Sequence, residues 1–190
     1  MITDVDLIKA QTNNNIIFWN DGGKPAQHTG NTTTGNVIKK CWGMKTSYAD
    51  NMAKFLPDNS GSDGYFIDIR DDCVTITPPT GTGVIIATNK LSGCTFSIYY
   101  NKEAQLYVGA HVYRGGGGKT TETAVEEYAK ANNLIPIKSW CTAGCIDGTV
   151  KECWGIAFLR GNGAIKLVGL GIASNGKVQK LLVNSDFSCS

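Results

Sequence analysis

From Ile16 to Val183 the chain is a succession of short apolar or alternating runs, cut apart by clusters of Gly, Asn, Asp and Pro. Runs this short, rich in Val, Ile, Thr, Tyr and Phe, satisfy a period of two and not the helical period, so they commit the chain to strands. Examples are Ile16–Trp19, Val84–Thr88, Cys94–Tyr100, Gln105–Tyr113, Leu134–Trp140, Val150–Leu159 and Ala164–Ile172. The connections are mostly short, which favours antiparallel neighbours. The expectation is an α+β chain with around nine strands and two or three helices. Its strands form a largely antiparallel β-sandwich or a curved mixed sheet flanked by helices, in one domain spanning residues 1–190, with a polar tail, 184–190, that is loose.

Helical signals are few. Thr3 caps a short helix to Gln11, with Asp4 and Asp6 in its first turn. Thr46 or Ser47 begins a second, through Leu56, with Tyr48, Met52, Phe55 and Leu56 at helical spacing. Thr120–Asn133 is the strongest, with Thr123-x-x-Glu126 in the pattern of a capping box and Ala124, Val125, Tyr128 and Ala129 along one side. Tyr65–Ile69 and Cys73–Thr77 are expected to pair around Arg70-Asp71-Asp72, and Asn175-Gly176 marks a hairpin turn.

A net charge of +2 and a pI near 8.1 give no reason to expect nucleic acid or a membrane surface as partner. No secretory signal peptide or membrane-length apolar run is visible. The seven cysteines, an odd number without such a signal, favour mostly free thiols. Cys141, Cys145 and Cys153 have neither paired CxxC knuckles nor a nearby histidine, so they are read as ordinary cysteines and not as a zinc site.

Cys94 and His111 are the candidate chemistry. A thiol becomes a nucleophile at neutral pH with the help of a base, and imidazole is the usual one. If Asn101-Lys102-Glu103-Ala104 is the hairpin loop and Tyr100 faces Gln105, Cys94 lies directly opposite His111, with Cβ atoms roughly 5 Å apart. A slip of one residue would separate them onto opposite faces. Ser92 and Gly93 leave room before the thiol, and Thr88 ends the preceding strand with a hydroxyl able to orient the imidazole. Rival motifs are weaker. A Walker A loop around Gly115–Thr120 would need glycine where Tyr113 stands. His28, in the polar loop 21–35, has no acidic or thiol neighbour and reads as exposed. Asp68, Asp71 and Asp72 straddle a turn, where aspartates bond local backbone. Gly115–Gly118 reads as a hinge.

The tetrapeptide Leu91-Ser92-Gly93-Cys94, with Thr88 six residues before the cysteine and His111 on the next strand, resembles the glutamine deamidase toxins, namely the Burkholderia lethal factor and the catalytic domain of cytotoxic necrotizing factor, and more distantly the bacterial chemoreceptor glutamine deamidase. The match covers residues 88–111. It implies a helix-flanked β-sandwich and a Cys–His site that hydrolyses a glutamine side chain in a protein. Cys94 would be the nucleophile, His111 the base and Thr88 the orienting group, with Leu91, Ser92 and Gly93 supporting the oxyanion site. It implies no cofactor and no metal. The partner is a host protein carrying the target glutamine, a translation factor or small GTPase. The enzyme would be monomeric, of bacterial origin and delivered to the host cytoplasm. A transglutaminase or cysteine protease with the same pair, and a non-enzymatic β-sandwich binding module, remain alternatives.

Overall fold

The computed structural model describes residues 1–19, 28–29, 36–115 and 119–189. Along the chain run α1 (Asp4–Thr12), β1 (Ile16–Trp19), β2 (His28–Thr29), β3 (Val37–Ala49), β4 (Met52–Pro57), β5 (Gly64–Ile67), β6 (Val74–Ile76), β7 (Ile85–Leu91), β8 (Thr95–Asn101), β9 (Leu106–Val112), α2 (Lys119–Ala131), β10 (Ile135–Cys141), β11 (Glu152–Leu159), β12 (Ala164–Ile172) and β13 (Val178–Ser188). Residues 20–27, 30–35, 116–118 and 190 lie outside the described part, and with them most of the polar loop 21–35 and of the glycine hinge. No helix among the described residues is long and apolar enough to cross a membrane.

The chain is mostly β and its strands join in one mixed sheet, in the order β10-β8-β9-β6-β3-β5-β7-β11-β12-β13, with β2 and β4 also on β3 and β1 on β4. β3 is the pivot. Its first residues, Val37–Lys39, pair with β6, whereas Cys41–Met44 pair with β5. Beyond this pivot the sheet doubles back, so β8, β9 and β10 lie face to face with β7, β11 and β12. Phe96, Tyr100 and Trp140 share one apolar cluster with Ile86, Ala157 and Leu167. Glycines set how closely the two halves approach. A Cβ at Gly155 would lie 2.4 Å from the Phe96 ring, one at Gly169 2.6 Å from the Trp140 ring, and one at Gly109 2.4 Å from Ile86 Cγ2. Large side chains are therefore seated directly on facing backbone, the close packing that protein interiors require. The two ends of the path nearly meet: Lys138 Nζ of β10 lies 4.7 Å from the centroid of the Phe187 ring in β13.

Helix α1 carries the expected cap. Asp6 N–H donates to Thr3 Oγ1, and Thr3 N–H donates to Asp6 Oδ2. Leu7 and Ala10 enter a second core with Trp42, Phe55, Phe66 and Trp154. Helix α2 covers the outer face of β8 and β9, where Val125, Tyr128 and Ala129 meet Tyr99, Val108, Ala110 and Val112.

Four expectations are corrected. Residues 46–56 are not a helix but the hairpin of β3 and β4. Asp50 and Asn51 both have positive φ, 54° and 58°, the conformation that a two-residue hairpin turn demands. β5 and β6 do not pair with each other; both lie on β3, and β5 runs parallel to β7. The tail is not loose from Asn184, because β13 continues along β12 to Ser188. The fourth is the β8/β9 register: Tyr100 pairs with Tyr107, and Phe96, not Cys94, faces His111. Gln105 takes a positive φ of 54° and closes the loop one residue later than expected, while the Asn101 side chain accepts from Ala104 N–H. The displacement is an even number of residues, and Cys94, just before the ladder, shares a cluster with Phe96, so thiol and imidazole stay on one face with no hydrogen bond between them.

Candidate active site

The site is built around Thr88-Asn89-Lys90-Leu91-Ser92-Gly93-Cys94. Thr88 on β7 pairs with Gly155 of β11, but Leu91 pairs with Cys153, so Asn89 and Lys90 together oppose Trp154. This is a β-bulge, and Lys90 takes a φ of 53° within it. Bulges re-aim side chains at sites. Here the bulge returns Leu91 to the core beneath Cys94, and both belong to the cluster that holds Phe96. Gly93 has a φ of 121°, yet a Cβ there would meet nothing within 4 Å. The glycine serves backbone conformation and not space, which corrects the expectation of a close approach at this point.

His111 on β9 points between the two halves of the sheet and is 1 % exposed. Its Nδ1 lies 3.0 Å from Thr88 Oγ1, a contact that exists only because β7 packs over β9. The Thr88 hydroxyl also donates to Ile67 O at 3.3 Å. A hydroxyl has one proton, so with that proton on Ile67 O the imidazole must donate from Nδ1. Nε2 is then the basic nitrogen, and it is buried with no hydrogen-bond partner among the described residues. Burial pushes the His111 pKa from 6.5 down to about 4, opposed only in part by the Asp68 carboxylate.

A depressed imidazole pKa makes folding pH-dependent. Between pH 6.5 and 4 the unfolded chain binds a proton that the folded chain refuses, so stability falls as pH falls through this window. The loss from this ring reaches about 3 kcal/mol. Urea midpoints at pH 7 and pH 4 check it: His111→Gln is expected to lose distinctly less stability between the two pH values than the wild type.

Cys94 stands just before β8 and is 8 % exposed. Burial raises its pKa above the ordinary thiol value. Backbone N–H groups of Arg114 and Ser92 directed at the sulfur oppose this by favouring the thiolate. Thr142, fully buried after β10, holds the turn from both sides. Its Oγ1 accepts from Gly93 N–H at 3.0 Å and donates to Cys94 O at 2.9 Å, and its N–H donates to the same oxygen at 3.0 Å. Replacing Thr142 with Val leaves Gly93 N–H without that partner. We expect a loss of about 2 kcal/mol in denaturant unfolding.

Beside Cys94 opens a pocket of about 330 Å³, walled by the stacked rings of Trp19 and Phe66, with centroids 4.0 Å apart. Asp68, Asp71, Asn89, Lys90, Ser92 and Tyr113 complete its lining. By contrast Cys41 and Cys153 are fully buried and pushed up to about 12. All seven cysteines are unpaired. Among the described residues no group of His, Cys, Asp and Glu is placed to hold a metal ion. Asp71 and Asp72 do lie in a turn. The structure thus brings Thr88 onto His111, keeps Cys94 on the same face, seats Leu91 in the core and leaves Ser92 at the pocket. It adds Thr142, Asn89 and the Arg114 N–H, none of which has a local sequence signal. Thr142 is 48 residues from Cys94, in a segment whose pattern says only that a strand has ended. No protein-family model matches the chain, and no curated protein is similar to it.

Proposed function

We propose that the protein is a bacterial toxin or effector that hydrolyses the side-chain amide of a glutamine in a host protein, leaving glutamate. The observation that carries this reading is a buried imidazole held at Nδ1 by Thr88, with Nε2 unpartnered, on the same face as a pocket-lining thiol. An unpaired buried nitrogen is costly unless a partner arrives during function.

His111 Nε2 takes the Cys94 proton as the sulfur attacks the glutamine Cδ. Burial raises the thiol pKa and lowers that of the imidazole, so the resting pair is neutral and the proton moves only with the attack. Negative charge passes from sulfur to the amide oxygen. The N–H groups of Ser92 and Arg114, which face the sulfur, and that of Cys94 are the donors we assign to it. The imidazolium returns its proton to the departing nitrogen, releasing ammonia and a thioester. His111 then takes a proton from water, which adds to the thioester carbon, and glutamate leaves as the thiol is restored. Because the free base must be neutral, kcat/KM should rise through a pKa near 4 and stay level until the thiol itself ionises, above the ordinary thiol range. A pH–rate profile whose acid limb sits at an ordinary histidine value would contradict this arrangement.

The resemblance over residues 88–111 supports a translation factor or small GTPase of the host cytoplasm as substrate. A second reading, transglutamination, gains from Asp71 at the pocket, since a carboxylate attracts a cationic amine that could replace water at the thioester. Mass spectrometry of a eukaryotic lysate treated with the protein separates these outcomes. Deamidation adds about one dalton at a glutamine, an amine adduct adds the amine, and a protease cuts the chain. A lysate left unchanged by the wild type would count against both.

A further inference from the structure

We infer that Asn89 reads the carboxamide of the bound glutamine and distinguishes it from the product carboxylate, an inference that rests on the deamidase reading of the Cys94 pocket. Asn89 is 9 % exposed and lines that pocket with Ser92 and Cys94. Among the described residues no donor or acceptor bonds its side chain. Its amide atoms are not sealed in the core but open to the pocket, where they are available to a ligand.

The bulge is what places it there. Along β7, Ile85 and Ala87 face the core that contains Phe66, while Ile86 faces the opposite cluster. Asn89 continues the first set, toward the stacked Trp19 and Phe66. Two bulged residues opposing one then free the chain to turn back through Leu91 to Cys94. Asn89 and the thiol are thereby set on the lining of a single pocket, although they come from different faces of the doubled sheet.

An amide is the natural complement of an amide. Asn89 Nδ2 donates to the substrate carbonyl oxygen, and Asn89 Oδ1 accepts from the substrate NH2. A carboxylate has no proton to offer Oδ1, so the same site holds glutamate less well. Asp71 on the same lining acts in the same direction by repelling the product's charge, against the pull of Lys90, while Asp68 is paired with Lys40 Nζ at 2.9 Å. Asn89 would therefore serve both substrate choice and product release.

Alkylation of Cys94 tests this without any turnover. Iodoacetamide carries a primary carboxamide and iodoacetate a carboxylate. Their rate constants with the full chain, resolved at Cys94 by peptide mass spectrometry, give an amide-to-acid ratio that is normalised to the ratio for glutathione. In Asn89→Ala, and in Asn89→Leu, which keeps the wall filled, the ratio is expected to fall about tenfold, the equivalent of one lost neutral hydrogen bond. With a glutamine peptide as substrate, kcat/KM is expected to fall by at least a similar factor, because the carbonyl oxygen that Asn89 Nδ2 holds is the atom that takes on negative charge. A ratio within twofold of wild type in both folded variants overturns the role of Asn89. If the wild type deamidates glutamine all the same, the deamidase reading survives that result. A ratio that falls as expected, in a protein that converts no glutamine, supports the carboxamide site and sinks the deamidase reading instead.

Discussion

Cys94→Ser is expected to keep the fold and to lower ammonia release from a glutamine substrate by on the order of 10⁴-fold or more. The substitution exchanges sulfur for oxygen at a residue 8 % exposed, and the turn that carries it is held through backbone groups, Gly93 N–H and Cys94 O, by Thr142. Stability should therefore stay within about 0.5 kcal/mol of wild type. On the deamidase reading the loss of activity is large because the base is weak. With its pKa pushed down to about 4, His111 is matched poorly even to a thiol that burial has raised, and far worse to an alcohol. Ammonia release and urea unfolding of the same preparation check both halves. Activity within tenfold of wild type would remove Cys94 from the chemistry.

Gly64→Ala is expected to destabilise the protein by about 4 kcal/mol or more, a large part of the stability of an ordinary domain. Gly64 opens β5 with a φ of 132°, a conformation that L side chains rarely adopt, and a Cβ there would lie 1.9 Å from Ile85 O and 2.7 Å from Ile85 N. The obstacle is backbone on a neighbouring strand, so no rotamer relieves it. The same point joins β5 to both of its partners, Met44 on β3 and Ile85 on β7. Ile85 N–H also donates to Asp63 O, and the Asp63 carboxylate accepts from Thr46 N–H and Oγ1. Disturbing Gly64 thus separates β5 from β7, and with it Ile67 and Thr88 beneath His111. Gly81→Ala is the control, since nothing lies within 4 Å of its Cβ position. That variant should shift the urea midpoint by an amount equivalent to less than about 0.5 kcal/mol. Equal midpoints for the two variants would show that the β5/β7 contact is looser than described.

Some of this was legible in the chain before any fold was known. The N-terminal cap is written in Thr3 and Asp6, because the hydrogen bonds involved span three residues. Helix α2 shows in the spacing of Val125, Tyr128 and Ala129. The β8/β9 hairpin shows in two alternating runs around a polar loop, although its register depended on one unforeseen positive φ at Gln105. The apparent helix at 46–56 misled because Tyr48, Met52, Phe55 and Leu56 fit a helical period by chance, while the turn at Asp50-Asn51 carried no glycine to announce it.

The sequence by itself determined where strands and helices lie, for the most part, and supplied a thiol, an imidazole and a hydroxyl within one short stretch. Whether Cys94 and His111 share a face rested on the hairpin register, which had to shift by an even number of residues for that to hold. Only the tertiary structure decided that β5 and β6 part company on β3, that β7 folds over β9 to lay Thr88 on His111, and that Thr142 closes the turn at Cys94. The physical reason is that periodicity reports which face of a strand is apolar and not what covers it. The cover is chosen by fit over long sequence separations: Phe96 on Gly155, Trp140 on Gly169 and Ile86 on Gly109. That fit buries the imidazole, and the burial, which no local pattern encodes, lowers the pKa of His111.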